Sequence, residues 1–538
     1  MKGAPRQLHA ALMLAATVAL LFGFLVYLLY AANLIAFPYD YDQGEGFELH
    51  DTVLFSRFQL PYRDTEHYPF YASNYPPLFH MMAAPFVWLF GPSYWYGRLL
   101  GFLASLVSAC AIAYAVYRDG ERQRWIALLA GLAFLSSNFV YHIGPLFRQH
   151  TMMVTFETLA MVMLAGAFPR RDKRVIAFGL FLLVCAGYTK QLAAITAASA
   201  LVWMFLRAPW RAIRWVLVFV AGGGAAFLWL NVASGGQWWI QAIVANVNDF
   251  IPDQATGLFI LWFKLHGLLL VPAVVLHIYE LYLDRLSIYS VWLVFSALLG
   301  GLASGTWGAG DSYFVTSIAA VCILSGIFCS RLLTNAPRSP RIIGGASIAR
   351  FSRAGLIIVP LLYLGYARAT LKVPTDGAFE PVAKALGVAA NVRENFYDSA
   401  TFLVGGYARI GYFLTDADWE AGAEIVRLID ETDKPVLSEE AGFTIAAGRE
   451  VVTNPTQLRN LHLAGHFDGG QLIEMIERGE FGIVILRAHF YPPPVLAAIG
   501  GHYEHAHTLH MNGFDYSIFY PKEPDGSEGT PDDNRLPD

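Results

Sequence analysis

Residues 9–46 read HAALMLAATVALLFGFLVYLLYAANLIAFPYDYDQGEG. From His9 to Asn33 there is no Lys, Arg, Asp or Glu, and a membrane-spanning helix needs about 20 mainly apolar residues. The run stands behind Lys2 and Arg6, is long for the apolar stretch of a signal peptide, and has no clean cleavage site after it. It therefore reads as an uncleaved anchor. Directly beyond it come Asp40, Asp42, Glu45, Glu48 and Asp51. Carboxylates packed against a bilayer are costly unless they are solvated or used, so this junction fixes both the class of protein and the first place to look for chemistry.

The whole chain has the same character. Of its 538 residues 56% are hydrophobic and only 15% charged, with a mean hydropathy of +0.44; soluble domains carry roughly 25% charged residues. That excludes a soluble enzyme and a disordered chain, and a net charge of −5 excludes a general affinity for nucleic acid. Cys110, Cys185, Cys322 and Cys329 all lie in apolar runs and read as packing residues. Further apolar runs near 93–117, 125–143, 150–168, 175–189, 192–207, 214–233, 256–279, 287–304, 312–331 and 354–369 predict about eleven spans with the first. Residues 1–369 carry a balance of +9 and residues 370–538 a balance of −14. The expected fold class is a polytopic α-helical membrane domain over 1–369 followed by a small extracytoplasmic α/β domain over 370–520. The tail 521–538, rich in Pro, Gly and acid, is expected to be disordered.

One run is too short to span. Tyr75–Phe90 (YPPLFHMMAAPFVWLF) holds three prolines. The basic loops at Arg118/Arg122/Arg124, Arg170/Arg171/Lys173/Arg174, Arg207/Arg211/Arg214, Arg285 and Arg331/Arg338/Arg341/Arg350/Arg353 fall on one side with Lys2 and Arg6 only if 75–90 does not cross. It is therefore expected to lie in or re-enter from the outer interface, where Trp88, Tyr94, Trp95 and Tyr96 suit headgroup level. The N-terminus is then cytoplasmic. The loop 34–92, the loops near 144–150, 190–191, 235–255 and 305–311, and the C-terminal domain are extracytoplasmic.

In the C-terminal part, Lys434–Ser438 and Phe481–Arg487 read as short buried strands, and Trp419–Glu431 and Gln471–Arg478 have helical spacing. Thr508–Tyr520 reads as a hairpin turning at Asn512-Gly513. No nucleophile–base set is written there, so its expected role is accessory or acceptor-binding. His502, His505, His507 and His510 read as polar faces of an exposed strand pair rather than as metal ligands.

Chemistry is expected in the first outer loop. Gly44 and Gly46 let the backbone turn tightly and approach a ligand, and a carboxylate there is placed to act as a general base at the membrane boundary. Asp42 and Glu45 equally suit the first turn of a helix beginning near Phe47, where acids favour the N-terminal dipole.

The acidic cluster after the first span, then Tyr75-Pro-Pro-Leu78, Gly91-Pro-Ser93 and Gly97-Arg98-Leu-Leu100, resembles the membrane glycosyltransferases of the GT-C fold. Within them it is similar to the aminoarabinose-transferase and protein-mannosyltransferase families and their bacterial relatives, over about residues 10–330. The resemblance implies transfer of a sugar from a polyprenyl-phosphate donor to an acceptor (lipid, glycan or protein) at the outer face of the bacterial inner membrane, with inversion. It maps the family's acid onto Asp42, with Glu45 as the alternative base or a partner orienting acceptor or metal. The leaving phosphate needs cations; Lys190 in Gly187-Tyr-Thr-Lys-Gln191, Arg148 in Phe147-Arg-Gln-His150, and the intramembrane Lys264 are the candidates. Relatives often carry Asp two positions after that Arg; here the position is His150, a departure that bears on any metal or acceptor role. Arg63, His67, Tyr75, His150, Asp311 and Tyr313 are candidates to contact substrate, the last two within the Gly-rich Gly308–Phe314. No cofactor is required by the sequence. A divalent metal (Mg, Mn or Zn) has Asp42, Glu45 and His150 as its candidate ligands. The competing classes are a lipid or solute transporter or flippase, which would show duplicated halves and midplane charges, and a non-catalytic envelope assembly protein.

Overall fold

The computed structural model describes residues 4–334, 345–373, 379–387 and 413–522. The expected tail beyond residue 522, and Arg338 and Arg341 of the last basic loop, lie outside the described residues. Each of the eleven apolar runs lies on a helix or on two or three consecutive helical elements. Among the described residues six helices are long and apolar enough to cross a membrane: Gln7–Ala36, Trp95–Asp119, His150–Arg170, Pro209–Ala233, Pro252–Leu283 and Asp311–Leu333. Shorter apolar helices, among them Arg124–Leu135, Gln191–Arg207 and Ile288–Ala303, fill the bundle between them.

Burial sorts these helices. Asp311–Leu333 is 89% buried over its most apolar window, whereas Pro209–Ala233 is 6% buried although it is as apolar. An all-apolar helix facing out is stable only against lipid. In the bundle, small residues let backbones approach closely. Gly23 lies against Ser136, Gly131 against the Ala109 carbonyl, and Gly101 against the carbonyls of Gly144 and Leu146.

Two helices of the first loop are of a different kind. Glu45–Ser56 starts after Gly44, which sits at φ 90°, a left-handed value that suits glycine. It buries Glu45, Glu48 and Asp51 along with its apolar residues. Leu78–Phe90 has 13 residues, a length of about 20 Å at 1.5 Å per residue, too short for a hydrocarbon core of about 30 Å. It packs beside Glu45–Ser56, with the Trp88 indole N–H donating to the Ser56 carbonyl at 2.7 Å.

The C-terminal region builds one four-stranded sheet, order β1-β2-β4-β3: β1 (Val436–Ser438), β2 (Ile483–Leu486), β3 (Tyr503–Met511) and β4 (Phe514–Pro521). β1 and β2 are parallel and the other pairings antiparallel. β1 and β2 are buried throughout, as expected of short apolar strands. β3 and β4 turn at Asn512-Gly513, both at positive φ (54° and 77°), the geometry of a tight hairpin turn. Thr415 and Asp418 cap the helix Asp416–Asp430 reciprocally.

This sheet is joined to the first loop by contact of backbone on backbone. A methyl at Gly46 would collide with the backbone of Gly442, and one at Gly442 with the Tyr94 hydroxyl and the Asp40 carboxylate. The Asn512 side-chain amide donates to the Tyr41 carbonyl, and the Asp418 carboxylate accepts from the Asn512 N–H.

Candidate functional site

The site is assembled from segments far apart in the chain. A cavity of about 390 Å³ is lined by Gln43, Gly44, Phe47 and Glu48 of the first loop, by Asn74 and Tyr75, by Arg148, by Lys190 and Gln191, by Asn246 and Asn248, by Thr306–Gly308 and Tyr313, and by Asn454, Thr456, Asn460 and Phe490 of the C-terminal region. Every loop expected on the outer side contributes to it. A small recess of about 20 Å³ shares Tyr75, Arg148, Lys190 and Tyr313 with the cavity and adds Asp42, His142, His150 and Asp311.

Two arginine–carboxylate pairs organise the first loop. Glu45 is wholly buried and pairs with the wholly buried Arg98 through two bonds of 2.9 and 3.0 Å. It also accepts the backbone N–H groups of Tyr41, Asp42 and Phe147. Arg98 in turn donates to the carbonyls of Leu34, Phe37 and Tyr39, the last residues of the first span and its exit. Burial alone would raise the Glu45 carboxyl, but Arg98 and these N–H donors hold it below the ordinary carboxylate range. Glu45 does not line the cavity. Its sequence-derived place as alternative base or metal partner is corrected: its oxygens are occupied in fixing the exit of the first helix.

The second pair faces the recess. Arg148 donates to Asp42 Oδ2 from Nη2 at 2.9 Å and Nε at 3.1 Å, and to the Gln43 carbonyl. Asp42 Oδ1 is buried and has no hydrogen-bond partner among the described residues. An unmade buried hydrogen bond costs about 1–3 kcal/mol, so this oxygen stands ready for a donor brought by a ligand. Burial raises the Asp42 carboxyl above its ordinary value, opposed by Arg148. On the other side of Arg148, Glu48 Oε1 lies 3.6 Å from Nη1, and Glu48 Oε2 accepts from the Gln149 amide at 2.6 Å. His80 Nε2 is 3.2 Å from Glu48 and 3.8 Å from Asp51. Burial pushes Glu48 up to about 8 and Asp51 to about 7.

Lys190 caps the helix Lys173–Thr189 and turns its ammonium into the cavity, 5.2 Å from the Tyr75 ring centroid and 5.0 Å from that of Tyr313. The two aromatic faces attract the cation, and its Nζ contacts His150 Nε2, which also meets the Ser312 hydroxyl at 3.1 Å. Burial, then the neighbouring Arg148 charge, depress the Lys190 ammonium well below the usual lysine value. A bound anion would reverse that depression.

The structure thus brings together Asp42, Arg148, Lys190, Tyr75, Tyr313, His150 and Asp311, and leaves out four candidates. Lys264 lies on an exposed part of Pro252–Leu283 and does not reach the cavity. Arg63 is held against Gln59 and the Leu60 carbonyl. His67 is exposed and pairs with Asp64 at 2.7 Å. Glu45 is the fourth. The metal set is not assembled either: among the described residues no three His, Cys, Asp or Glu side chains group as ligands, Asp42 and Glu45 are each held by an arginine, and His150 meets Lys190. These residues do not fit a divalent ion. Reasoning from sequence passed over Glu48 as a site residue, and with it Gln43, Asn74, Asn246, Asn248, Asn454 and Asn460. Lone carboxamides in loops carry no spacing signal.

The chain matches no protein-family profile and no curated protein by sequence. Among solved structures it is similar to ArnT from Cupriavidus metallidurans in the apo state, at 13% identity and a TM-score of 0.54, covering 94% of this chain and 98% of that one. The same protein bound to undecaprenyl phosphate aligns at 12% identity and a TM-score of 0.55, covering 93% and 97%. The Archaeoglobus fulgidus oligosaccharyltransferase tethered with an acceptor peptide aligns at 10% identity and a TM-score of 0.48, over 92% and 74%. Nearly full coverage of the ArnT chain shows that this chain shares the GT-C fold.

Proposed function

We propose that this chain is a glycosyltransferase that moves a sugar from a polyprenyl-phosphate carrier to an acceptor hydroxyl at the outer face of the cytoplasmic membrane. The N-terminus is cytoplasmic and the C-terminal region is extracytoplasmic, where it lends Asn454, Thr456, Asn460 and Phe490 to the cavity. The observation that carries the reading is the Asp42 oxygen without a partner, held beside the Lys190 and Arg148 cations in a recess that opens to a cavity at the end of the helical bundle. A base and an anion site facing one recess are what displacement of a phosphate by a hydroxyl requires.

In the reaction, the acceptor O–H proton passes to Asp42 Oδ1 as the acceptor oxygen bonds to the anomeric carbon on the face opposite the phosphate. The bond from anomeric carbon to phosphate oxygen breaks, its electron pair stays on the lipid phosphate, and the sugar is inverted. The charge growing on that phosphate is taken by Lys190 and Arg148, preplaced and desolvated, where such interactions act most strongly. Arg148 bridges Asp42 and the anion site, so it also holds the carboxylate in orientation. Likeness to ArnT, whose solved form binds undecaprenyl phosphate, supports the choice of carrier.

The test is Asp42→Asn in the full chain. Transfer from a polyprenyl-phosphate sugar should fall by about 10²–10⁴-fold, the usual contribution of a general base, while polyprenyl-phosphate binding persists. Full activity of the variant would remove Asp42 from the mechanism.

A further inference from the structure

The wall of the cavity away from the recess is built of carboxamides, and their orientation is fixed. The Asn246 side-chain NH₂ donates to three backbone carbonyls, those of Asn74 (3.1 Å), Gln241 (3.0 Å) and Ala242 (3.0 Å). The Gln191 NH₂ donates to the carbonyls of Asn74 and Ala242, both at 2.9 Å. The Asn248 NH₂ donates to the Trp307 carbonyl at 3.0 Å. A carbonyl only accepts, so the nitrogen must be the end turned to the backbone, and the side-chain oxygen is the end left over. None of these three oxygens has a hydrogen-bond partner among the described residues, and all three residues line the cavity.

Among the described residues the charged ones lining the same cavity are Glu48, Arg148 and Lys190, and the two cations also line the recess. Arg459 stacks 4.0 Å from the Trp307 ring centroid and does not line the cavity. So beyond the phosphate end the wall, among the described residues, offers neutral acceptors and no cation to pair with an acid.

We infer that Gln191, Asn246 and Asn248 form the subsite for a sugar without an acidic group, read through its hydrogen-bond donors. Resting on the proposed transfer reaction, this specifies the substrate class: a hydroxyl-rich glycosyl group, and not a uronic acid. Hydroxyls satisfy the three oxygens. A carboxylate would meet three acceptors with its own charge unpaired, and desolvating an unpaired charge is far costlier than desolvating a hydroxyl. A site built to hydrogen-bond particular groups discriminates strongly against analogues that leave its polar atoms unmatched.

The experiment measures binding of four probes to the full chain in nanodiscs: polyprenyl phosphate, polyprenyl-phosphate hexose, polyprenyl-phosphate hexuronic acid, and a free neutral oligosaccharide. The neutral hexose should tighten binding over the bare lipid phosphate by about tenfold, and the hexuronic acid should give no gain. Asn248→Ala, which loses one backbone tie, should remove most of that gain and leave bare polyprenyl-phosphate binding as in wild type. Asn246→Ala should do the same if the loop survives the loss of three ties. Tighter binding of the hexuronic acid, or an equal weakening of all probes by Asn248→Ala, would overturn the subsite. Failure of bare polyprenyl phosphate to bind would sink the proposed donor instead. In that case, Asn248-dependent binding of the neutral oligosaccharide would keep the sugar subsite and place it on the acceptor, and its failure to bind would end it.

Discussion

Glu45 and Asp42 stand three residues apart in one loop, each paired with an arginine distant in sequence, and the molecule uses them in opposite ways. The region around Glu45–Arg98 is saturated: the carboxylate takes two guanidinium bonds and three backbone N–H groups, and the guanidinium takes three carbonyls. The region around Asp42–Arg148 is deliberately incomplete, with one carboxylate oxygen unmatched at the edge of an open cavity. Burial is nearly equal, 0% exposure against 2%. On the proposed mechanism, what separates scaffold from chemistry is the number of polar partners left to find. A filled network rigidifies and a part-filled one waits for a ligand.

The contrast can be broken by exchanging losses. Asp42→Asn should remove transfer by orders of magnitude with the smaller change in melting temperature, because Arg148 keeps the Gln43 carbonyl and the Glu48 carboxylate beside it. Glu45→Gln should do the reverse in kind, stranding Arg98 in the interior. Losing one partner of a buried pair costs about 3–5 kcal/mol, read as poor recovery of folded protein and a large fall in thermal midpoint. If Glu45→Gln folds normally and only loses activity, the roles are misassigned.

A smaller effect sharpens the part played by the C-terminal sheet. Gly442→Ala inserts a methyl against Tyr94 and Asp40 and should cost about 1–3 kcal/mol by overpacking. Limited proteolysis should then release the C-terminal region more readily. Protection equal to wild type would mean that the junction yields easily.

The pH dependence follows from the same groups. Glu48, raised from 4.5 to about 8, binds its proton more tightly in the folded state. Its contribution to stability is therefore present at low pH and is lost as pH climbs from about 4.5 to about 8. The thermal midpoint should drop across that window, and Glu48→Gln should flatten the drop. Lys190 has the opposite coupling to ligand. Its depressed ammonium regains a proton when an anion binds, so polyprenyl-phosphate affinity should rise as pH falls, and Lys190→Met should abolish the trend. The smallest expected effects are those of Arg63→Ala and His67→Ala, within about twofold on transfer, because neither side chain lines the cavity.

How far this was legible in the sequence depends on the distance over which each signal acts. The apolar runs were legible because a bilayer sets a minimum length that no soluble packing imitates. The short Tyr75–Phe90 segment was legible because its prolines and the distribution of arginines agreed. The Asn512-Gly513 turn was legible because two consecutive positive-φ positions demand those residues. The acidic loop was visible as a cluster, but not the division of labour inside it. That division depends on which carboxylate meets Arg98 and which meets Arg148, contacts that span 53 and 106 positions. Lys264 misled because hydropathy places a residue on a helix without saying which face turns inward. Asn246 and Asn248 were invisible for the reverse reason: a carboxamide in a loop is common, and only the closing of the fold reveals that its nitrogen is engaged and its oxygen is not.

The most direct measurement is a structure of the full chain with polyprenyl phosphate added. Lipid phosphate is expected between Lys190 and Arg148, facing the unpartnered oxygen of Asp42, with the hydrocarbon leaving toward the membrane. Lipid phosphate bound elsewhere, with Lys190 still closed against His150 and the recess empty, would contradict the proposed mechanism.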